Sequence, residues 1–307
     1  VDLTEFMNGR GKEYTNPFLD LDDFLNLEFG QDYDGNQLQI PDYQFALVYW
    51  FRYDWFNDKT TMSDFKKEYG YPLGVPLNWA AYEDIAVFFN GRAMKNTNGS
   101  IVQAFGHADY GLPGPWLGWR FSDAFLSIAG MGDKGLPNGS PVDEWGIRVE
   151  NHIPVGASVE RCGAINGPAA VYALTTWIDL LKKYAPPVSR ELDWIGFGNL
   201  PVQGQIAQTW YWTHIYAAIN NEYNKIGSPV CDKHGNPLWR IAPVPRGKYW
   251  QEGMKIGYQD AGSWTLPKNI PEKKKYASWL WAQFCLSKTV ALKKFKVGAT
   301  PVRKSTL

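Results

Sequence analysis

Gly257-Tyr258-Gln259-Asp260-Ala261-Gly262-Ser263-Trp264, followed by Pro267 and a helix-patterned run from Glu272 to Ser287, puts an aromatic plate, a carboxylate, a hydroxyl and two glycines into one short extended segment. Glycine permits positive φ and close backbone approach, and tryptophan offers a broad apolar face with a single polar handle. That mixture suits the grip of a small polyhydroxylated molecule and contains no reaction chemistry. The same residues also fit a core strand that ends in a turn.

Working outward, the chain of 307 residues is longer than one ordinary core prefers, which predicts two lobes. Lys+Arg 31 balance Asp+Glu 31, which argues against a nucleic-acid footprint or an anionic-membrane surface. The basic clusters, Lys273 to Lys275 and Lys293, Lys294 and Lys296, sit on helix-patterned segments and read as solvated faces. Aromatic residues make up 16% of the chain, with 15 Trp, 17 Tyr and 16 Phe, a surplus beyond the needs of a core and typical of clefts that stack sugars. Cys162, Cys231 and Cys285 are far apart and show neither a disulfide framework nor zinc-ligand spacing. No apolar run approaches the ~18 residues of a membrane span. The chain opens at Val1-Asp2 without a basic and apolar leader, so an export signal is expected either to have been removed or to lie outside this piece.

The patterning is mixed α/β. Phe18 to Leu27 predicts a short helix with Asp20, Asp22 and Asp23 near its start. Asp32-Tyr-Asp-Gly-Asn36 predicts a turn, resembling a calcium loop only superficially. Gln39 to Phe51 reads as one or two buried strands. Asn78 is a candidate cap for a helix reaching Phe89. Turn residues at 96–100 precede a strand over Ile101 to Phe105, and the glycine- and aromatic-rich loop from Tyr110 feeds a helix ending near Ile128. A loop follows at Met131 to Ser140. Ala169 to Tyr184 is an amphipathic helix stopped by Pro186-Pro187. Val202 to Asn221 reads as a further helix, with Trp210 and Trp212 on different faces, and Cys231 to Arg240 as a hairpin about His234-Gly235. In the last long helix Tyr276, Leu280 and Phe284 form an i, i+4, i+8 stripe read as core.

Catalytic motifs are sparse. His107, His152, His214 and His234 never pair at metal-ligand spacing, and no serine sits in a nucleophile elbow. Carboxylate pairs at Asp22-Asp23, Glu83-Asp84 and Asp143-Glu144 keep a glycoside hydrolase open by residue type, although adjacent carboxylates are usually helix starts or surface charges.

In order along the chain, Asp34 to Asp42, Val48 to Phe56, Val75-Pro-Leu-Asn-Trp79-Ala-Ala-Tyr-Glu-Asp84 and Gly262-Ser263-Trp264 resemble the crossover and helix-start passages of the substrate-binding proteins of carbohydrate-type ABC importers. Leu117-Gly-Trp-Arg-Phe-Ser-Asp-Ala124, Pro141-Val-Asp-Glu-Trp-Gly-Ile-Arg148, Asn166-Gly-Pro-Ala-Ala-Val-Tyr172 and Lys255-Ile-Gly-Tyr-Gln-Asp-Ala-Gly-Ser-Trp264 are similar to the glycerol-binding proteins of rhizobia. The resemblance spans nearly the whole chain, which looks like an internal slice of such a protein.

It implies an α/β, two-lobe periplasmic-binding-protein type II fold with a crossover hinge, incomplete at both ends. Residues 1–46 and 258–307 would belong to lobe 1 and residues 47–257 to lobe 2. A small polyol or sugar, glycerol first, would be captured in the interlobe cleft of a monomer and delivered to the membrane subunits of an ABC permease, in the periplasm or on an extracellular lipid anchor. No cofactor, metal, nucleic acid or enzymatic step is implied. Trp264 and Trp119 would pack on the carbon skeleton, Asp260 and Asp123 accept hydroxyl protons, and Arg120 and Ser263 complete the network. Asp42, Gln44 and Trp212 are further candidates. Arg120 and Asp123, at i, i+3, also fit a plain helix pair. Besides the hydrolase, a non-transport carbohydrate-binding module is the remaining alternative, although its usual all-β build sits poorly with two long helices.

Overall fold

The computed structural model describes residues 1–129, 148–150, 153–156, 168–213, 221–248 and 259–307. The loop read at 131–140, the Asp143-Glu144 pair, His152, Cys162, His214, residues 141–147 and 166–167 of the resemblance motifs, and residues 255–258 lie outside these. The strands in chain order are β1 (Ile40–Arg52), β2 (Ala93–Lys95), β3 (Ile101–Gln103), β4 (Arg148–Glu150), β5 (Ile153–Gly156), β6 (Gln208–Trp212), β7 (Trp239–Ala242) and β8 (Gln259–Trp264).

Two compact units are built on β1. Val1–Ala46 and Gln259–Leu307 form the first, and Leu47–Tyr258 the second. The front half of β1 pairs antiparallel with β8, from Ile40↔Trp264 to Ala46↔Gln259, with an irregularity between Pro41 and Tyr43. Proline offers no N–H to a ladder, so a register break there is its physical consequence. The rear half lies between β6 and β7, paired antiparallel with both.

In the first unit the helix Leu3–Asn8 starts at Asp2, whose carboxylate accepts from the backbone N–H groups of Thr4 and Glu5. Its Leu3 and Phe6 join Leu19, Phe24, Ile40, Leu266, Trp279, Ala282, Leu286 and Val302 in one apolar core. Trp279 meets Phe6 edge-on at 6.1 Å and donates its indole N–H to Thr15 Oγ1 at 2.9 Å. Both Trp279 and Leu286 come from the helix Glu272–Leu286, which therefore anchors the unit. Of the stripe expected to be core, Tyr276 packs against that core, stacked on Phe6 at 6.0 Å, but Leu280 and Phe284 are exposed, and the inward side carries Trp279, Ala282, Gln283, Cys285 and Leu286. Lys275 is likewise buried, paired to Glu272 at 2.8 Å, whereas sequence placed it on a solvated face.

The helix expected over Phe18–Leu27 is replaced by two short 3-10 turns, Leu21–Asp23 and Leu27–Gly30. Asp20 and Asn26 both take φ of 51°, a left-handed conformation that aspartate and asparagine tolerate and that interrupts an α-helix. Asp23 turns instead to Arg303 at 3.0 Å and to Ser305.

In the second unit Asn78 caps the helix Trp79–Phe89 by accepting from Ala81 N at 2.9 Å, and the helix buries Trp79, Tyr82, Ile85, Ala86, Phe88 and Phe89. The helix Pro168–Lys183 buries Ala173, Trp177 and Leu180 and packs against residues 116–129. Residues 208–212, read from sequence as part of a helix, are β6, with Trp210 and Trp212 buried on one face of the strand. All five residues of β6 are buried, so the polar alternation that marks a half-exposed strand is missing from its sequence. The hairpin expected at Cys231–Arg240 narrows to an isolated Cys231↔Pro237 bridge about a tight turn, after which β7 joins β1.

Candidate functional site

The helix Trp116–Ala124 runs directly into a π-helical turn, Phe125–Ala129. Its inner face carries Arg120 and Asp123, both 1% exposed, while Trp119 on the outer face is 58% exposed. Adjacent residues on a helix point about 100° apart, so Trp119 and Arg120 serve different surroundings.

Arg120 is organised by a residue that the sequence reading missed. Asp109 accepts from its Nε through both carboxylate oxygens at 2.9 Å and from Nη2 at 2.7 Å. The same carboxylate accepts from the Trp177 indole at 3.0 Å and the Tyr110 backbone N–H at 2.8 Å. Arg120 Nη2 also donates to the Trp210 carbonyl at 3.1 Å, and the guanidinium lies 4.6 Å from the Trp210 ring. Asp123 meets Arg120 Nη1 only at 3.5 Å, and the Trp212 side chain lies beside its carboxyl. The i, i+3 pair read from sequence is therefore the weaker of two contacts.

Electrostatics follow from this burial. Asp123 is pushed up to about 7, chiefly by desolvation and further by the neighbouring Asp109, with Arg120 opposing. Asp109 is also raised, by desolvation that outweighs Arg120 and its hydrogen bonds. Nearby, Tyr82 Oη and His107 Nδ1 are 2.6 Å apart. Desolvation first, and the charge of Arg120 second, pull His107 down to about 3, so its imidazole is neutral. His107 Nε2, Tyr110 Oη and Trp210 Nε1 are buried without a hydrogen-bond partner among the described residues.

The first unit holds the other candidates, on β1 and β8. Asp42 forms an ion pair with Lys294, which also donates to the Cys285 carbonyl at 3.2 Å. Gln44 accepts from Asn26 Nδ2 at 3.0 Å and donates to the Leu25 carbonyl at 2.6 Å. The polar groups of both residues are thus engaged inside their own unit. Asp260 pairs through its backbone with Phe45. Ser263 Oγ donates to the Ala261 carbonyl at 3.2 Å. Trp264 packs against the apolar core, and its Nε1 is buried with no partner among the described residues.

The structure thus brings Arg120, Asp123 and Trp212 together in the second unit, and Asp42, Gln44, Asp260, Ser263 and Trp264 onto one strand pair in the first. Trp119 joins neither cluster. Among the described residues no group of His, Cys, Asp and Glu is arranged to hold a metal ion, and no helix is long and apolar enough to cross a membrane.

No family model matches the sequence. No curated protein matches it either. Solved structures do match. An ABC transporter solute-binding protein from Agrobacterium radiobacter K84, in complex with ribitol, is 22% identical, with a TM-score of 0.65 over 99% of this chain and 62% of its own. Maltose-bound MalE3 of T. maritima is 17% identical, with a TM-score of 0.63 over 100% of this chain and 63% of its own. A solute-binding protein from Agrobacterium vitis S4 with bound D-mannitol is 15% identical, with a TM-score of 0.59 over 98% of this chain and 62% of its own. This chain therefore spans less than two thirds of the length of the structures it matches, and the α/β fold it adopts is that of ABC-transporter solute-binding proteins.

Proposed function

We propose that this chain belongs to the substrate-binding component of an ABC importer and captures a small polyol or sugar, glycerol foremost, without chemical change. The observation that carries the reading is the fold match, which extends over essentially all of the chain to proteins solved with ribitol, maltose and mannitol. Two local features support it. Trp264 presents a buried, unsatisfied indole N–H beside Ser263 on β8, and Trp119 exposes a broad aromatic face. Each feature by itself suits a hydroxylated ligand, whose oxygen can accept from an indole N–H and whose C–H surface can pack on an aromatic face. Asp260, Asp123, Arg120 and Trp212 are proposed as further ligand contacts. The partners on this reading are the membrane subunits of the permease, and the compartment is the periplasm or the outer face of an anchored membrane.

A thermal-shift series with glycerol, ribitol, mannitol and maltose tests it. A ligand that binds only the folded state stabilises it by mass action, by about 2.7 kcal/mol at a concentration 100 times Kd. We expect at least one polyol to raise the midpoint in a saturable way and to be recovered unchanged after incubation. Failure of all four to shift it, or conversion of the ligand to product, overturns the proposal.

A further inference from the structure

Asp109, Arg120 and Asp123 put two carboxylates on one guanidinium in a region where all three residues are 0–1% exposed. Among the described residues, two negative charges and one positive charge leave one negative charge uncompensated. Such a charge costs several kcal/mol to hold away from water, so a buried group in this position neutralises itself. Hydrogen bonding decides which carboxylate does so. Asp109 collects Arg120 Nε and Nη2, the Trp177 indole and the Tyr110 N–H. Asp123 has the 3.5 Å contact to Nη1, with the Trp212 side chain beside it. Donors stabilise the charged form of a carboxylate, so Asp109 keeps the charge.

We infer that this cluster is a proton-binding site of the second unit, taking up one proton from solvent and holding it on the Asp123 carboxyl. The balance is simple: a carboxylate oxygen of Asp123 gains a proton, an O–H bond forms, and no other bond changes. Among the described residues the groups facing the cluster are Arg120 on its own helix, Asp109 and Tyr110 from the preceding loop, Tyr211 and Trp212 from β6, and the neutral His107 beside Arg120. Trp177 of the helix Pro168–Lys183 acts through Asp109, and Asp193 acts through Tyr110. The neutral carboxyl of Asp123 carries an O–H, so it can donate as well as accept. The upward displacement of Asp123 to about 7, caused first by desolvation, agrees with this assignment.

The sign of the linkage follows. The folded-state value is about 7 against 3.8 for an unperturbed aspartate. The folded chain therefore binds more protons than the unfolded chain between those limits. Stability from this site is full below about pH 4 and is lost as pH rises through about 7. Other carboxylates have slopes of the opposite sign, so the readout is the difference between wild type and Asp123→Asn, which mimics the neutral acid.

Infrared difference spectroscopy on the whole chain reads the proton directly. At pH ~5.5, where ordinary carboxyls are ionised, wild type is expected to show a protonated-carboxyl C=O band. That band should disappear as pH rises past neutrality and be missing from Asp123→Asn. Melting midpoints should fall more steeply with rising pH in wild type than in Asp123→Asn. Asp109→Asn leaves Arg120 to pair with Asp123 alone, and where it folds it should lower the pH at which the band disappears. A wild type without the band, a band that survives Asp123→Asn, or parallel melting profiles overturns the assignment. These readouts involve no ligand, so they stand or fall independently of polyol capture.

Discussion

Trp264 combines a ring packed against the core of the first unit with an indole N–H that finds no acceptor among the described residues. A buried donor left unsatisfied costs about 1–3 kcal/mol, and a polyol oxygen would recover that cost on the proposed function. Trp264→Phe keeps the ring and removes the donor, so calorimetry on the ligand found by thermal shift should show a loss of about 1 kcal/mol. Trp264→Ala removes both and should lose substantially more. Asp260→Ala should weaken binding by about 1.5–3 kcal/mol, the range for hydrogen bonds to a charged group. Wild-type affinity in Trp264→Ala and Asp260→Ala would remove β8 from the ligand site. The neighbouring Asp42 illustrates what residue type alone conceals. Its pairing with Lys294 spans 252 positions of sequence, and no local pattern announces a contact at that separation.

Among the elements, those governed by local rules were legible and those governed by distant partners were not. Asn78 ahead of an apolar run predicts the helix Trp79–Phe89, and the cap is observed at Ala81 N. Asp32-x-x-Gly-Asn36 and Asp232-x-x-Gly-Asn236 close the same turn twice: the aspartate accepts from the backbone N–H groups two and four residues on, and Gly35 and Gly235 take φ of 84° and 87°. In contrast, β6 has no alternation to reveal it, because both of its faces are buried, and the link from Asp109 to Arg120 joins residues eleven positions apart, from a loop to a helix. Glycine gives an element-scale test. A Cβ added at Gly106 would stand 1.7 Å from the Ala86 carbonyl oxygen of the helix Trp79–Phe89, whereas one added at Gly118, inside the helix Trp116–Ala124, meets nothing within 4 Å. Gly106→Ala should therefore force the chain off that helix and destabilise by about 1–3 kcal/mol. Gly118→Ala should stabilise by roughly 0.5–1 kcal/mol through restored helix propensity. Urea unfolding of both variants measures the pair, and shifts of the same sign would contradict the packing described.

At the scale of the whole molecule, β1 is one continuous strand whose front half pairs within the first unit and whose rear half pairs within the second. Each unit also has its own apolar core. Leu286 and Trp279 belong to the first, while Phe89, Tyr82 and Trp210 are buried in the second. Cooperative unfolding requires that the loss of one core remove the support of the rest, and chains with more than one core commonly depart from a single two-state transition. We therefore propose that the boundary at 46/47 and 258/259 is a boundary of cooperativity. Calorimetric unfolding should resolve into two transitions. Leu286→Ala, which deletes a buried side chain from the first core, should cost about 2–5 kcal/mol in the transition of that unit. Phe89→Ala should cost about 3–5 kcal/mol in the other. A polyol bound as proposed should raise whichever transition contains the residues that hold it, so variants at β8 and at the Arg120 cluster assign the ligand to its unit. One transition that both Leu286→Ala and Phe89→Ala shift together would show that the two cores fold as one body, and the boundary would then be a feature of chain geometry without thermodynamic meaning.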